Sequence, residues 1–297
     1  MSNSELYVST SATFSGCQKS FDQADYVVVG VPFDMTSTYR TGARFAPASI
    51  REASLNIETY SFRSNLDVEE IGLHDLGDLH VSGKMDNTLT RLQETVRNLT
   101  KAGKIPVIVG GEHTLTLGVL RAVGSADTAI IDFDAHLDLR NEYMDLVTSH
   151  TTFMRRLNEQ VKPRRIVELG TRAVCKEELD YAKAVGIKYF TSRSIHRMGL
   201  EATVEAVRKE LEGCSGTYLT IDMDALDPSF APAVQNPEPD GLSSHQVLDL
   251  VSGLCDSRTI GLDIVEVTPL YDEGTTSILA AKTLFEALCG VESVRRG

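Results

Sequence analysis

The segment Ile131-Asp132-Phe133-Asp134-Ala135-His136-Leu137-Asp138 carries the densest chemistry in the chain. Read as the continuation of a strand, it sets Asp132, Asp134, His136 and Asp138 on one face, because successive strand side chains alternate. Three carboxylates and an imidazole so placed repel one another or stay expensively desolvated. A bound cation resolves both problems. The alternative is an acidic loop with its charges in water. The apolar run Thr128-Ala129-Ile130-Ile131 leading directly into the cluster argues against that.

Four further segments bear on the same chemistry. In Leu219-Thr220-Ile221-Asp222-Met223-Asp224, two carboxylates of equal parity again close an apolar run; taken alone they also suit an N-cap and a turn. Asp227-Pro228 just beyond reads as turn chemistry, since proline restricts the residue before it. Gly110-Gly111-Glu112-His113 follows the apolar Ile105–Val109, and two glycines allow a tight turn and close backbone approach. A lone histidine there is more often structural, and only the two acidic segments make His113 a ligand candidate. In Gly261-Leu262-Asp263-Ile264-Val265-Glu266-Val267, Glu266 lies in a run that reads as a buried strand and so needs a partner. That partner is an arginine or lysine of the fold, or a cationic substrate. His150 follows a polar loop; it is either a surface histidine or a group that shuttles protons near neutral pH.

These residues need a scaffold, and the apolar runs supply one. Strands are expected over 25–31, 71–77, 105–110, 127–134, 165–171, 186–191, 217–224 and 259–267. Helices are expected over 46–57, 86–103, 114–123, 149–160, 175–185, 200–212, 244–254 and 276–290. Near-continuous Val/Ile/Leu runs fit strands buried on both faces. Their alternation with helices implies α/β architecture, a parallel sheet covered on both sides. Ligands of such sheets bind outside the carboxyl ends of the strands. No repeat or linker divides the 297 residues, so a single domain over 1–297 is expected, with about 1–20 as an extended tail.

Composition narrows the function. A formal net charge of −13 argues against a nucleic-acid partner, which needs a basic face, and suits either solubility or a cationic substrate. No run approaches a membrane span, and the first residues lack the basic and apolar regions of a signal peptide, so a cytoplasmic protein is expected. The five cysteines, Cys17, Cys175, Cys214, Cys255 and Cys289, are widely spaced with no CxxC, which argues against disulfide or thiolate-zinc chemistry.

The Gly-Gly-acid-His, DAHxD, DxDxxDP and DIVEV segments, with Thr41-Gly42-Ala43-Arg44-Phe45-Ala46-Pro47 before them, resemble in kind and order the ureohydrolase family of arginases, agmatinases and guanidinobutyrases. The resemblance runs from about Val29 to about Leu288 and is nearest to agmatinases of archaeal type. It implies a three-layer α/β/α fold with an eight-stranded parallel sheet. It also implies a two-metal centre, with His113 and Asp138 on one ion, His136 and Asp224 on the other, and Asp134 and Asp222 bridging. Hard oxygen donors without thiolate suit two Mn²⁺ ions, with nickel or cobalt left open.

The implied reaction is hydrolysis of agmatine to putrescine and urea, a step of polyamine biosynthesis. Glu266 would grip the guanidinium, Asp138 would pass a proton to the leaving amine, and His150 would relay protons to solvent. A trimeric or hexameric homo-oligomer is implied. Three departures stand out: Thr151 where the family carries glycine, Glu112 for the commoner Asp, and Ala233-Val234-Gln235-Asn236-Pro237 in place of GTGTP. Arginine, guanidinobutyrate and a non-catalytic metal scaffold are the competing readings. The loop Leu139–Asp145 lacks the Asn/Ser-rich character expected for an amino-acid substrate. Its Glu142 and Asp145 are candidates to bind the distal ammonium of agmatine, and Arg140 is a candidate donor to a carboxylate.

Overall fold

In the computed structural model, which describes residues 7–9, 12–16 and 19–297, the apolar runs become the strands of one sheet. We number them β1 (Val8–Ser9), β2 (Tyr26–Gly30), β3 (Leu73–Leu79), β4 (Ile105–Val109), β5 (Thr128–Phe133), β6 (Arg165–Thr171), β7 (Lys188–Thr191), β8 (Gly216–Asp222) and β9 (Thr259–Val265). Their spatial order is β1-β3-β2-β4-β9-β8-β5-β6-β7. The eight from β2 to β9 run parallel, and β1 adds antiparallel to β3 through Val8↔Leu79 and Ser9↔Asp78.

Alternation along the strands splits the core in two. Tyr26, Val28, Ile131 and Leu262 face one layer; Val27, Val29, Ile130 and Ile166 face the other. The first layer holds α1 (Ala46–Ser54), α6 (Ser192–Met198), α7 (Leu200–Glu210), α8 (Ser244–Leu254) and α9 (Thr275–Arg296). The second holds α2 (Met85–Lys101), α3 (Leu115–Val123), α4 (Phe153–Gln160) and α5 (Lys176–Val185). The result is the expected three-layer α/β/α arrangement.

Several boundaries differ for local reasons. β3 begins two residues later than expected, and its alternating burial, not a uniform apolar run, marks it as a strand near the sheet edge. The expected helix over 149–160 starts at Phe153. The Ser149 amide bonds the Thr152 hydroxyl at 2.8 Å, side-chain chemistry that competes with helical hydrogen bonding. Within the stretch expected to be a tail, Val8 and Ser9 pair with the sheet, and Phe14 is buried in edge-to-face contact with Phe285.

Candidate metal centre and active-site cavity

Four neighbouring strands, β4, β9, β8 and β5, end side by side, and every proposed ligand closes or follows one of those ends. The turn after β4 depends on glycine: a Cβ at Gly111 would lie 1.7 Å from the Phe33 carbonyl oxygen. The Glu112 amide then bonds Phe33 O at 2.8 Å, and the chain delivers His113 fully buried behind the sheet end.

The strand-parity expectation needs correction. β5 stops at Phe133 and β8 at Asp222, so Asp134, His136, Asp138 and Asp224 come from tight loops, not from a strand face. Side chains fold back on their own amides to shape those loops. Asp134 accepts from His136 N at 2.6 Å and Asp222 accepts from Asp224 N at 2.7 Å. Asp138 takes a left-handed φ of 49°. Asp132 does lie on β5, but it points at the far side of His113, with Oδ1 3.6 Å from Nε2.

The loops converge nonetheless. His113 Nδ1 lies 3.2 Å from Asp134 Oδ2, 3.2 Å from Asp222 Oδ2 and 3.7 Å from Asp138 Oδ2. His136 Nδ1 lies 3.3 Å from Asp134 Oδ1 and 3.1 Å from Asp224 Oδ2. Asp134 thus belongs to two donor groups, His113/Asp134/Asp138 and Asp134/His136/Asp224, each compact enough for one ion. Asp222 offers one oxygen to the His113 side, while its other is engaged by the Asp224 amide.

Electrostatics describe a centre short of positive charge. Burial would lower both imidazoles, but Asp132, Asp134 and Asp222 carry His113, and Asp224 and Asp134 carry His136, well above the ordinary histidine range. Burial would raise Asp134, but the two imidazoles overcome it and hold it below the usual carboxylate range. Burial, with Asp134 and other carboxylates adding, pushes Asp138 and Asp222 well up. Two facing atoms at the centre, His113 Nδ1 and Asp134 Oδ2, are buried with no hydrogen-bond partner. Orphaned donors that converge from several loops fit a cation.

Sequence reasoning missed the support behind this centre. His113 Nε2 meets Thr220 Oγ1 at 2.8 Å. Thr220 donates to Asp263 Oδ1, whose other oxygen accepts from Thr116 and Tyr218. Nothing in an apolar strand pattern marks Thr220 or Asp263, because only their register across β8 and β9 brings them together. The Arg172 guanidinium donates to six backbone carbonyls, including Asp224 O at 2.7 Å and Glu238 O at 2.8 Å, and so clamps the loop after β8.

A cavity of about 450 Å³ opens over the centre, lined by His136, Asp138, Asp222, Asp224, His150 and Glu266 on the inside and by Thr38, Arg140, Tyr143 and Glu238 further out. Glu266 lies just past β9, not within it, at a left-handed φ of 67°. Such a conformation costs a bulky residue ~1–2 kcal/mol, so it persists only where neighbours hold it. Among the described residues no arginine or lysine pairs with it: Oε1 accepts from His113 N at 2.6 Å and Oε2 from the Gln235 amide. Burial pushes Glu266 up to about 8, against the His113 amide.

His150 is buried, not a surface residue. Its Nδ1 lies 4.0 Å from Glu266 Oε1 and its Nε2 has no hydrogen-bond partner. Burial, then the charges of His136 and His113, brings it down to about 4. Thr151, where the family carries glycine, also faces the cavity.

The expected distal contacts fare differently. Tyr143 and Leu146 pair as a two-residue hairpin whose central residues, Met144 and Asp145, both take positive φ. That turn leaves Glu142 and Asp145 exposed and outside the cavity lining, while Tyr143 faces it with Arg140 stacked 4.9 Å from its ring centre. Among the described residues, Glu238 is the cavity carboxylate whose side-chain oxygens have neither a hydrogen bond nor an ion pair. Glu178, the other carboxylate of the outer wall, is engaged by the amides of Leu139 and Cys175.

Comparison with known proteins agrees with this arrangement. The arginase-family profile matches residues 24–290. An N(1)-aminopropylagmatine ureohydrolase of Thermococcus kodakarensis is 37% identical, covering 90% of this chain and 91% of its own. An agmatinase of Bacillus anthracis is 36% identical, covering 91% and 93%. The crystal structure of the agmatine ureohydrolase of Thermoplasma volcanium superposes with a TM-score of 0.90 at 35% identity over 97% of both chains. With a profile match across most of its length and relatives of this identity along nearly all of it, the chain belongs to the arginase family and is an enzyme of the ureohydrolase type.

Proposed function

We propose that the enzyme hydrolyses agmatine to putrescine and urea at a binuclear manganese centre. His113 and Asp138 would hold one ion and His136 and Asp224 the other, with Asp134 and Asp222 shared between them. The observation that carries this reading is Asp134, a single buried carboxylate common to two compact His/Asp groups. Oxygen-rich donors without thiolate favour Mn²⁺, and nickel or cobalt would accept the same set. When bound, such an ion pair supplies Lewis-acid activation of water near neutral pH.

The chain's own residues do the rest. Glu266, in reach of the cavity with both oxygens already oriented, receives the guanidinium by charge-assisted hydrogen bonds. Water adds at the guanidinium carbon, the bond to the alkyl nitrogen breaks, and urea and the amine leave. Asp138 carries the water's proton towards the departing nitrogen. His150, held neutral by burial, passes protons between the cavity and solvent through Nε2. The distal ammonium falls to Glu238, and Glu142 and Asp145 attract the dication from outside the cavity.

Arginine is the second reading, because Arg140 on the cavity wall is a donor for its carboxylate. We place the enzyme in the cytoplasm as a trimer or hexamer; exposed apolar side chains such as Phe62 and Leu270 are what an assembly would cover. Among the described residues no helix is long and apolar enough to cross a membrane. The test is urea release from agmatine, arginine and guanidinobutyrate by Mn²⁺-loaded and chelator-stripped enzyme. Agmatine turnover that needs added metal and exceeds arginine turnover in kcat/KM is expected. Full activity in protein shown to be metal-free would defeat the mechanism, and a preference for arginine would defeat the substrate.

A further inference from the structure

The departure at 233–237 meets the proposed guanidinium-binding carboxylate, Glu266, directly. Gln235 is fully buried, and its side-chain nitrogen donates to Glu266 Oε2. The amide presents its nitrogen to Glu266 and turns its oxygen away. That oxygen, Gln235 Oε1, is buried with no hydrogen-bond partner. A buried amide left half-satisfied is unfavourable, so the arrangement serves something other than stability.

The backbone around the pair is fixed on every side. Val234 bridges Val267, the Gln235 amide bonds Glu266 O at 3.2 Å, Thr268 N bonds Ala233 O at 2.7 Å, and Glu266 N bonds Gly111 O at 2.8 Å. Two donors then fix the carboxylate itself: the His113 amide on Oε1, from the turn that carries a proposed ligand, and Gln235 on Oε2. The first is backbone and depends on no side chain. The second depends on one side chain, at a position where the family's GTGTP stretch has glycine.

We infer that Gln235 is a positioning residue for guanidinium recognition: its amide holds the Glu266 carboxylate in the one orientation that faces the cavity. This inference rests on the reading of Glu266 as the guanidinium contact. Because the pair acts on a group present in both ground and transition states, its loss weakens binding more than turnover.

The experiment compares Gln235→Leu and Gln235→Gly with wild type, alone and on a Glu266→Gln background, all metal-loaded. The glycine variant matches the family stretch and guards against a leucine that fails to pack. Expected is a rise of about 10- to 100-fold in KM for agmatine, the range for a hydrogen bond to a charged group. kcat should stay within about threefold and both metal ions should be retained. Calorimetry with guanidinium ion in place of agmatine should show the same weakening, and no further weakening on the Glu266→Gln background. It also keeps this test apart from that of the substrate: wild type that binds guanidinium but releases no urea from agmatine would sink the agmatine reading and leave Gln235 standing. Unchanged KM and guanidinium affinity in the glycine variant would overturn the inference, as would an equal loss with and without the Glu266 carboxylate.

Discussion

Two of the clusters of buried charge among the described residues are finished differently. At Arg51, all three guanidinium nitrogens are used. Nε and Nη2 bond Asp75 at 2.7 and 2.9 Å, Nη1 bonds Asp78 at 2.5 Å, and Asp75 also accepts from the amides of Phe14 and Gly77. At His113, three carboxylates crowd one ring nitrogen, and that nitrogen and Asp134 Oδ2 remain without hydrogen bonds. One cluster supplies its own countercharge; the other is built to receive it. Burial and charge alone do not separate a structural cluster from a functional one, but the completeness of its partners does.

The comparison breaks most sharply at Asp134 and Asp222. Asp134→Asn and Asp222→Asn should each lower kcat by at least about 10³-fold, since several kcal/mol of transition-state stabilisation depends on the centre they complete. Elemental analysis should show fewer than two ions per chain. In metal-free protein, Asp222→Asn should leave the melting temperature unchanged or raise it. Burial, Asp224 and Asp134 oppose its charge more than His113 favours it, so a neutral amide of the same shape costs little there. Near-normal rates with two bound ions would refute the ligand assignment.

His150→Ala comes next. A proton relay contributes about 10²–10⁴-fold to turnover, and the side chain lies outside both donor groups. Turnover should fall in that range while metal content stays at wild-type level. Loss of an ion would make His150 a ligand or its support instead.

At the finished cluster the pattern reverses. Asp75→Asn should destabilise the fold by about 3–5 kcal/mol, the consequence of removing the buried one of the two carboxylates that neutralise Arg51, and lower Tm by on the order of 10 °C. The protein that remains folded should keep its kcat and its metal. A large loss of kcat in folded protein would erase the distinction drawn between the two clusters.

The same distinction explains what was legible before the fold was known. Apolar runs announce the central parallel strands because strands buried on both faces can hold little else, whereas β3 and β7 towards the sheet edges are only partly buried. The carboxylates and histidines after Phe133, Ile221 and Val109 stand out because charge directly after such a run demands an explanation. The supporting residues are harder to find. Thr220 and Asp263 are ordinary in sequence, and Gln235 is marked only as part of a departure from the family; all three gain meaning when neighbouring strands or a returning loop place them within hydrogen-bond distance. β1 is two residues long and exists only because β3 offers an edge. Parity reasoning grouped Asp134, His136 and Asp138, which the structure does bring together, with Asp132, which it leaves on the far side of His113; the strand ends at Phe133, and Asx-type bonds within the loop do what the pleat was expected to do.

The smallest expected effect lies at the outer wall, where loop geometry decides. Glu142 and Asp145 are carried by a tight hairpin that leaves them in water, where a charge interacts weakly and is screened by salt. Glu238 is half-buried on the cavity wall, its backbone clamped by Arg172 and its carboxylate without a partner among the described residues. A distal ammonium that displaces water from such a carboxylate gains on the order of 1 kcal/mol, about fivefold in affinity. Glu238→Gln should therefore raise KM for agmatine roughly fivefold with little change in kcat, and leave the affinity for guanidinium ion, which has no distal charge, as it was. Glu142→Gln and Asp145→Asn should each change KM by less than about twofold, an effect that disappears in high salt. If Glu142→Gln or Asp145→Asn instead matches the predicted loss while Glu238→Gln does nothing, the hairpin closes over the substrate, and the exposed rim becomes the part of the molecule that reads its length.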